Sequence, residues 1–292
     1  FGYWGGEEPW DQVTFKLIPN AAARVAALLS GDVQVMEGVP TADIAALSKS
    51  SKVELASKIS NRLIYLAPDL DRTEPPFVLG KDGKPLAANP FKDVRVRRAM
   101  SKAIDRAAIA ERVMENRAIA AAQILPDGFP GVSKALKADK PNPAAARDLL
   151  REAGYPNGFQ VTLHTPNNRY INDDRVAQAI AQMLSRIGIE TRVEAMPASV
   201  FFTRASKRDF GLFLAGWGAE TGESASPLKA LLATPSPATG MGGANRNRYS
   251  NAEFDKTLAS ALATIDPLKR EALLAHANEI AFGELGLIPI HH

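Results

Sequence analysis

Three groups of residues in one stretch of this 292-residue chain could do chemistry. Arg169 lies in Pro166-Asn-Asn-Arg-Tyr170, and a guanidinium offers a planar fork suited to a carboxylate. Trp217 and Gly218 open the polar, glycine-rich run Gly216-Trp-Gly-Ala-Glu-Thr-Gly-Glu223, where an indole could stack on a ligand side chain or peptide plane. Glu220 and Glu223 share that run. As a pair they could act as general acid and base, as in glycoside hydrolysis; singly, either could neutralise a cationic ligand end. Two of these also have a plain structural reading: Trp217 as a core aromatic between small residues, Arg169 as a surface arginine.

The elements that must position these groups read as strand, helix, strand, helix, strand. Residues 160–165 are β-rich and stop at Pro166. Residues 173–187 carry Val176, Ala179, Ile180, Met183, Leu184 and Ile187 at helical spacing, and residues 190–195 and 210–215 are further strands. In an open α/β sheet, ligands bind in the crevice beyond the carboxyl ends of parallel strands. The loops at 166–170 and 217–223 follow such ends. The expectation is one sheet containing 161–164, 191–194 and 211–215, with Trp217 beyond its carboxyl edge.

Elsewhere the pattern predicts strands at 13–18, 33–36, 52–57 and 63–66 and helices at 21–30 and 41–47. Residues 69–90 read as loop with a tight turn at Asp82-Gly83, a candidate domain boundary. Helices are expected over 93–116, 143–153, 251–263 and 267–282, with a long loop at 234–248.

Composition excludes several classes. Apolar residues at 46% and charged residues at 23% are ordinary for a globular protein. No apolar run approaches the ~18–20 residues of a membrane span. With no cysteine there is no disulfide, thiolate zinc site or thiol chemistry, and the four histidines lack metal-binding spacing, so neither metal nor cofactor is expected. No P-loop or Gly-x-Ser-x-Gly elbow is present. The net charge is +3, and the best basic cluster, Arg95-Val-Arg-Arg98, lies on an amphipathic helix. It reads as a solvated face rather than a nucleic-acid patch. The chain opens Phe-Gly-Tyr-Trp without a signal-type segment and closes Ile-Pro-Ile-His291-His292; the final histidines read as native sequence continuing a strand pattern, with the remnant of a tag as the alternative. Both ends read as cuts through a folded protein.

Four stretches resemble the solute-binding proteins of the oligopeptide/dipeptide/nickel family of ABC importers, the family 5 extracellular solute-binding proteins. They are Tyr3-Trp-Gly-Gly6 with 13–19, Ala23-Arg24, Gly31-Asp-Val33 and Val39-Pro40; Phe91-Lys-Asp-Val-Arg-Val-Arg-Arg-Ala-Met-Ser-Lys-Ala-Ile-Asp-Arg106; Gly216-Trp-Gly-Ala-Glu220; and Tyr249-Ser-Asn251 with Phe254-Asp255 and Ile288-Pro-Ile290. They span nearly the whole chain, and the second is specific. The resemblance implies an α/β fold of the periplasmic-binding-protein type (type II), with mixed sheets and flanking helices. Residues 1–66 would be a returning portion of the first lobe, 67–288 the second, ligand-binding lobe, and 289–292 the start of the crossover back.

It further implies a non-enzymatic, monomeric periplasmic or lipid-anchored receptor. Such a receptor captures a peptide or small polar solute by hinge closure and delivers it to the permease subunits. A hydrolase using Glu220 and Glu223 stays the alternative. The family lines its cleft with the loop holding Trp217 and Gly218. In dipeptide binders an arginine at the position of Arg169, beside Tyr170, pairs with the ligand carboxylate, and an aspartate at the position of Glu223 meets the α-amino group. Here that residue is Glu, and Ser224 stands where proline commonly follows. Arg95, Arg97, Asp105 and Arg106 read as a structural network within the lobe.

Overall fold

Residues 62–68, Arg-Leu-Ile-Tyr-Leu-Ala-Pro, carry apolar side chains on both faces and form a strand, β1 (Arg62–Pro68), whose residues from Leu63 onward are all buried. A strand buried on both faces belongs in the middle of a covered sheet, and β1 lies between two neighbours. It pairs antiparallel with β5 (Leu212–Gly218) and with β6 (Ile288–His291). β3 (Phe159–Pro166) runs parallel to both β4 (Ile189–Met196) and β5, and the two-residue β2 (Val78–Leu79) pairs with its start. The expected strands at 161–164, 191–194 and 211–215 therefore share one six-stranded sheet. The structure is a computed structural model and describes residues 5–6 and 9–292.

Helices cover both faces of the sheet. On one face α3 (Val94–Ala103), α5 (Pro143–Glu152) and α6 (Asp173–Ser185) pack Val96, Met100, Leu150, Val176 and Ile180 against Ile64, Leu66, Leu163, Leu212 and Leu214. On the other, α7 (Ala198–Ser206), α8 (Ala225–Leu231), α9 (Ala252–Ala263) and α10 (Pro267–Gly283) pack Phe201, Leu228, Phe254 and Leu274 against Leu63, Tyr65, Phe213 and Ala215. The result is a three-layer α/β/α arrangement with a mixed sheet.

The helix expected over 93–116 breaks in two. Ile104 is extended, and Asp105 caps a new turn by accepting from the Ala108 N–H. That turn, α4 (Arg106–Ala108), runs into a wider turn at Ile109–Val113. The break buries Arg106, which donates to the carbonyls of Ser101 and Pro289; burial lowers its pKa to about 10. Arg97 likewise donates to the carbonyls of Phe91 and Glu284. Arg106 ties its turn to β6 and Arg97 ties α3 to the end of α10, as a structural network would.

The chain divides into two compact units, Phe1–Ala56 and Ser57–His292. The second starts ahead of β1, so the boundary expected after residue 66 falls inside a central strand. In the first unit, α1 (Ala21–Ser30) is capped by the Asn20 side chain and ends at Gly31, whose φ of 85° favours glycine. Arg24 donates to the carbonyls of Ile18 and Pro19, and α2 (Thr41–Leu47) follows. The strands expected at 13–18, 33–36 and 52–57 do not form. Phe15 and Leu17 are almost fully exposed. A strand needs a hydrogen-bonding neighbour, and the described residues of this unit supply none. The Tyr3-Trp4 part of the opening motif lies outside the described residues.

Candidate functional site

Two loops meet at the carboxyl ends of β3 and β5, and short-range polar contacts hold both. After Pro166, the Asn167 N–H donates to the Met196 carbonyl, and the Asn168 side chain accepts from the Ala198 N–H, so the loop is pinned to the end of β4. Asn172 takes a left-handed backbone, φ 55°, just before α6. The buried Asp173 carboxylate then accepts from the N–H groups of both Arg169 and Tyr170 at 3.0 Å. Burial raises the Asp173 pKa, against the pull of those N–H groups. The outcome is a rigid turn that presents Arg169 to solvent and turns Tyr170 inward.

Tyr170 joins this loop to β5. Its hydroxyl donates to the Gly216 carbonyl at 2.9 Å. Residue 216 must be small, because a Cβ there would lie 2.9 Å from the Tyr170 ring and 2.6 Å from Ile64 Cδ1. Burial raises the phenol pKa, although nearby Arg169 and Arg62 pull it down. Both guanidiniums lie over the ring, with their central carbons 5.4 Å (Arg169) and 5.8 Å (Arg62) from its centre.

Trp217 stands inside β5, paired with Leu63, rather than in the following loop. From the register with β3, where His164 faces Phe213, it lies past the carboxyl end of β3. Because alternate side chains leave a strand on opposite faces, Trp217 is half-buried against the core of α7–α10, whereas Gly216 and Gly218 face Ile64, Tyr170 and Arg62. The plain reading of Trp217 as a core aromatic thus describes part of its ring.

The two carboxylates separate in role. Glu220 is exposed. Glu223 forms a two-point fork with Arg270 of α10, at 2.6 and 3.0 Å, and Arg270 also donates to the Ala261 carbonyl. The fork raises the Arg270 pKa. Both Glu223 carboxylate oxygens are thus occupied by Arg270. Ser224 explains the departure from proline: its hydroxyl donates to the Gly131 carbonyl and its N–H to the Pro130 carbonyl, bonds that proline lacks.

Arg62, Asn61 and Arg270 escaped the sequence reading. Asn61 donates to the Ala219 carbonyl at 2.6 Å, and Arg62 is opposite Gly218 in the β1–β5 register. No motif marks them; only strand pairing between distant segments brings them here. Among the described residues no group of His, Asp and Glu could hold a metal ion, and no helix is long and apolar enough to cross a membrane.

Comparison with known proteins fits this architecture. The model of the bacterial extracellular solute-binding proteins, family 5 Middle, matches residues 1–238. The glutathione-binding protein GsiB of Salmonella paratyphi A is 31% identical over 99% of this chain and 54% of its own length. Heme-binding protein A of Haemophilus influenzae is 27% identical over 99% and 50%. The dipeptide-binding protein of Pseudoalteromonas sp. SM9913, solved with Met-Leu, superposes with a TM-score of 0.82 at 25% identity, over 99% of this chain and 54% of that one. DppA of Helicobacter pylori, solved with the peptide STSA, shares the fold with a TM-score of 0.83 at 24% identity, over 99% and 52%. The chain thus spans about half the length of the relatives it matches.

Proposed function

Because the chain belongs to the family 5 bacterial extracellular solute-binding proteins, we propose that it supplies one wall of a cleft that captures a peptide or small polar solute. Residues from Ser57 onward would form the ligand-binding lobe, and those before it would belong to a first lobe completed by other sequence. The whole protein would act in the periplasm, close about its hinge on the solute, and hand it to the membrane subunits of an ABC importer. The relatives bind glutathione, heme and dipeptides by their names, so the peptide reading has company but no monopoly.

One observation carries the placement of the site: Tyr170 locks the Arg169 loop to Gly216, beside Trp217 and Gly218, at the carboxyl ends of parallel strands. In our reading Arg169 takes a ligand carboxylate, Tyr170 and Gly218 line the wall, and the free edge of Trp217 packs on the ligand. Exposed Glu220 is the available partner for a cationic end. Glu223, already held by Arg270, shapes the loop and reaches ligand only through its remaining lone pairs. A hydrolase reading of Glu220 and Glu223 has no support in this geometry.

The test is calorimetry on the complete two-lobed protein. Arg169→Ala should weaken a free dipeptide by ~2–5 kcal/mol, the cost of leaving a buried ligand charge unpaired, and leave its C-terminal amide nearly unaffected. Equal losses for both ligands, or none, would reject the carboxylate role.

A further inference from the structure

Arg62 is a further cationic side chain at this site. It starts β1, opposite Gly218, and its Nη2 stands only 3.4 Å from where a Gly218 Cβ would be. The guanidinium therefore lies over the glycine backbone at the end of β5. Arg62 and Arg169 share the Tyr170 ring, so their guanidinium carbons are within about 11 Å of each other. Among the described residues, neither guanidinium has a carboxylate or carbonyl partner, and the two share one aromatic ring.

Two neighbouring cations without a counter-charge repel, and an anion placed between them relieves that repulsion while gaining attraction from both. Each guanidinium keeps N–H donors without an oxygen partner, and a guanidinium's planar fork suits a carboxylate. We propose that Arg62 is a second anion-reading side chain, so that the preferred solute presents two carboxylates, one to Arg169 and one to Arg62. This rests on the carboxyl-end site proposed above and adds the charge class of its ligand.

The probes are Ala-Glu, with two carboxylates, and Ala-Gln, its near-isostere with one. Both would be titrated into this 292-residue chain at pH 7 by two-dimensional NMR, which reads the weak binding expected of one wall. The wild-type chain should favour Ala-Glu by about twofold to fivefold, the range of an ion pair open to water, with shifts centred on Tyr170, Trp217 and Gly218. Arg62→Gln should bring that preference to about one, with the larger loss falling on Ala-Glu; Arg62→Met, of similar length, repeats the test if glutamine disturbs the fold. A preference that survives in these variants, or is absent from the wild type while shifts still map to the site, overturns the role of Arg62 alone. Shifts mapping elsewhere, or no shifts, overturn the site and the inference together.

Discussion

The Tyr170 hydroxyl donates to the Gly216 carbonyl across the gap between the β3–α6 loop and β5. Forty-six residues separate the partners, so this bond, rather than chain proximity, places Arg169 near the end of β5. Tyr170→Phe should cost about 0.5–1.5 kcal/mol and lower Tm by about 1–5 °C. Gly216→Ala should cost more, about 1–3 kcal/mol, because the methyl meets Ile64 and the Tyr170 ring. Thermal melts of the two variants check the order; an alanine milder than the phenylalanine would contradict it.

Glu223 and Arg270 form a partly exposed fork that ties the site loop to α10. A double-mutant cycle with Glu223→Gln and Arg270→Gln should give a coupling of about 0.5–1 kcal/mol, shrinking in high salt. Urea denaturation supplies the four stabilities. A zero coupling would mean that Glu223 is free for ligand.

Ser224 separates two kinds of loss. Ser224→Ala removes the hydroxyl, but the Gly131 carbonyl keeps the Asn278 side-chain donor at 2.8 Å, so the cost should be about 0.5–1.5 kcal/mol. Ser224→Pro also removes the N–H that serves Pro130, and should cost about 1–2 kcal/mol beyond alanine. Chemical denaturation checks the pair, and a proline variant as stable as alanine would discount the backbone bond.

His291 gives a pH dependence with a definite sign. Burial lowers its pKa to about 4, and neither ring nitrogen has a hydrogen-bond partner. The unfolded imidazole, near 6.5, binds more protons than the folded one between pH 4 and 6.5, so stability falls as pH falls through that window. At pH 5 the contribution is a loss of about 2 kcal/mol relative to neutral pH. His291→Leu should remove that slope, so that the variant gains on wild type from pH 7 to pH 5 in denaturation series. His292, also lowered to about 4 by burial, should keep a slope of its own.

Much of the larger unit was legible locally. The strands at 160–165 and 190–195 appear within a residue or two, as do the helices at 143–153, 173–187, 251–263 and 267–282. Side-chain period and capping residues act over a few residues, so a sequence window contains them. The third strand slipped, from 210–215 to Leu212–Gly218, because pairing with β1 carries it through Trp217. The helix at 93–116 broke because buried Arg106 needs the Ser101 and Pro289 carbonyls, which no periodicity records.

The sequence by itself determined the family, the parallel strands and the two loops at their carboxyl ends, since motifs and periodicities are properties of contiguous residues. Only the tertiary structure decided which charges remain open. Arg270 reaches Glu223 from 47 residues away, while Arg62 comes to the Tyr170 ring from 108 residues away without an acidic partner. Electrostatic pairing falls within a few ångströms and depends on register and helix packing, so two arginines alike in sequence end as a brace and as a free cation.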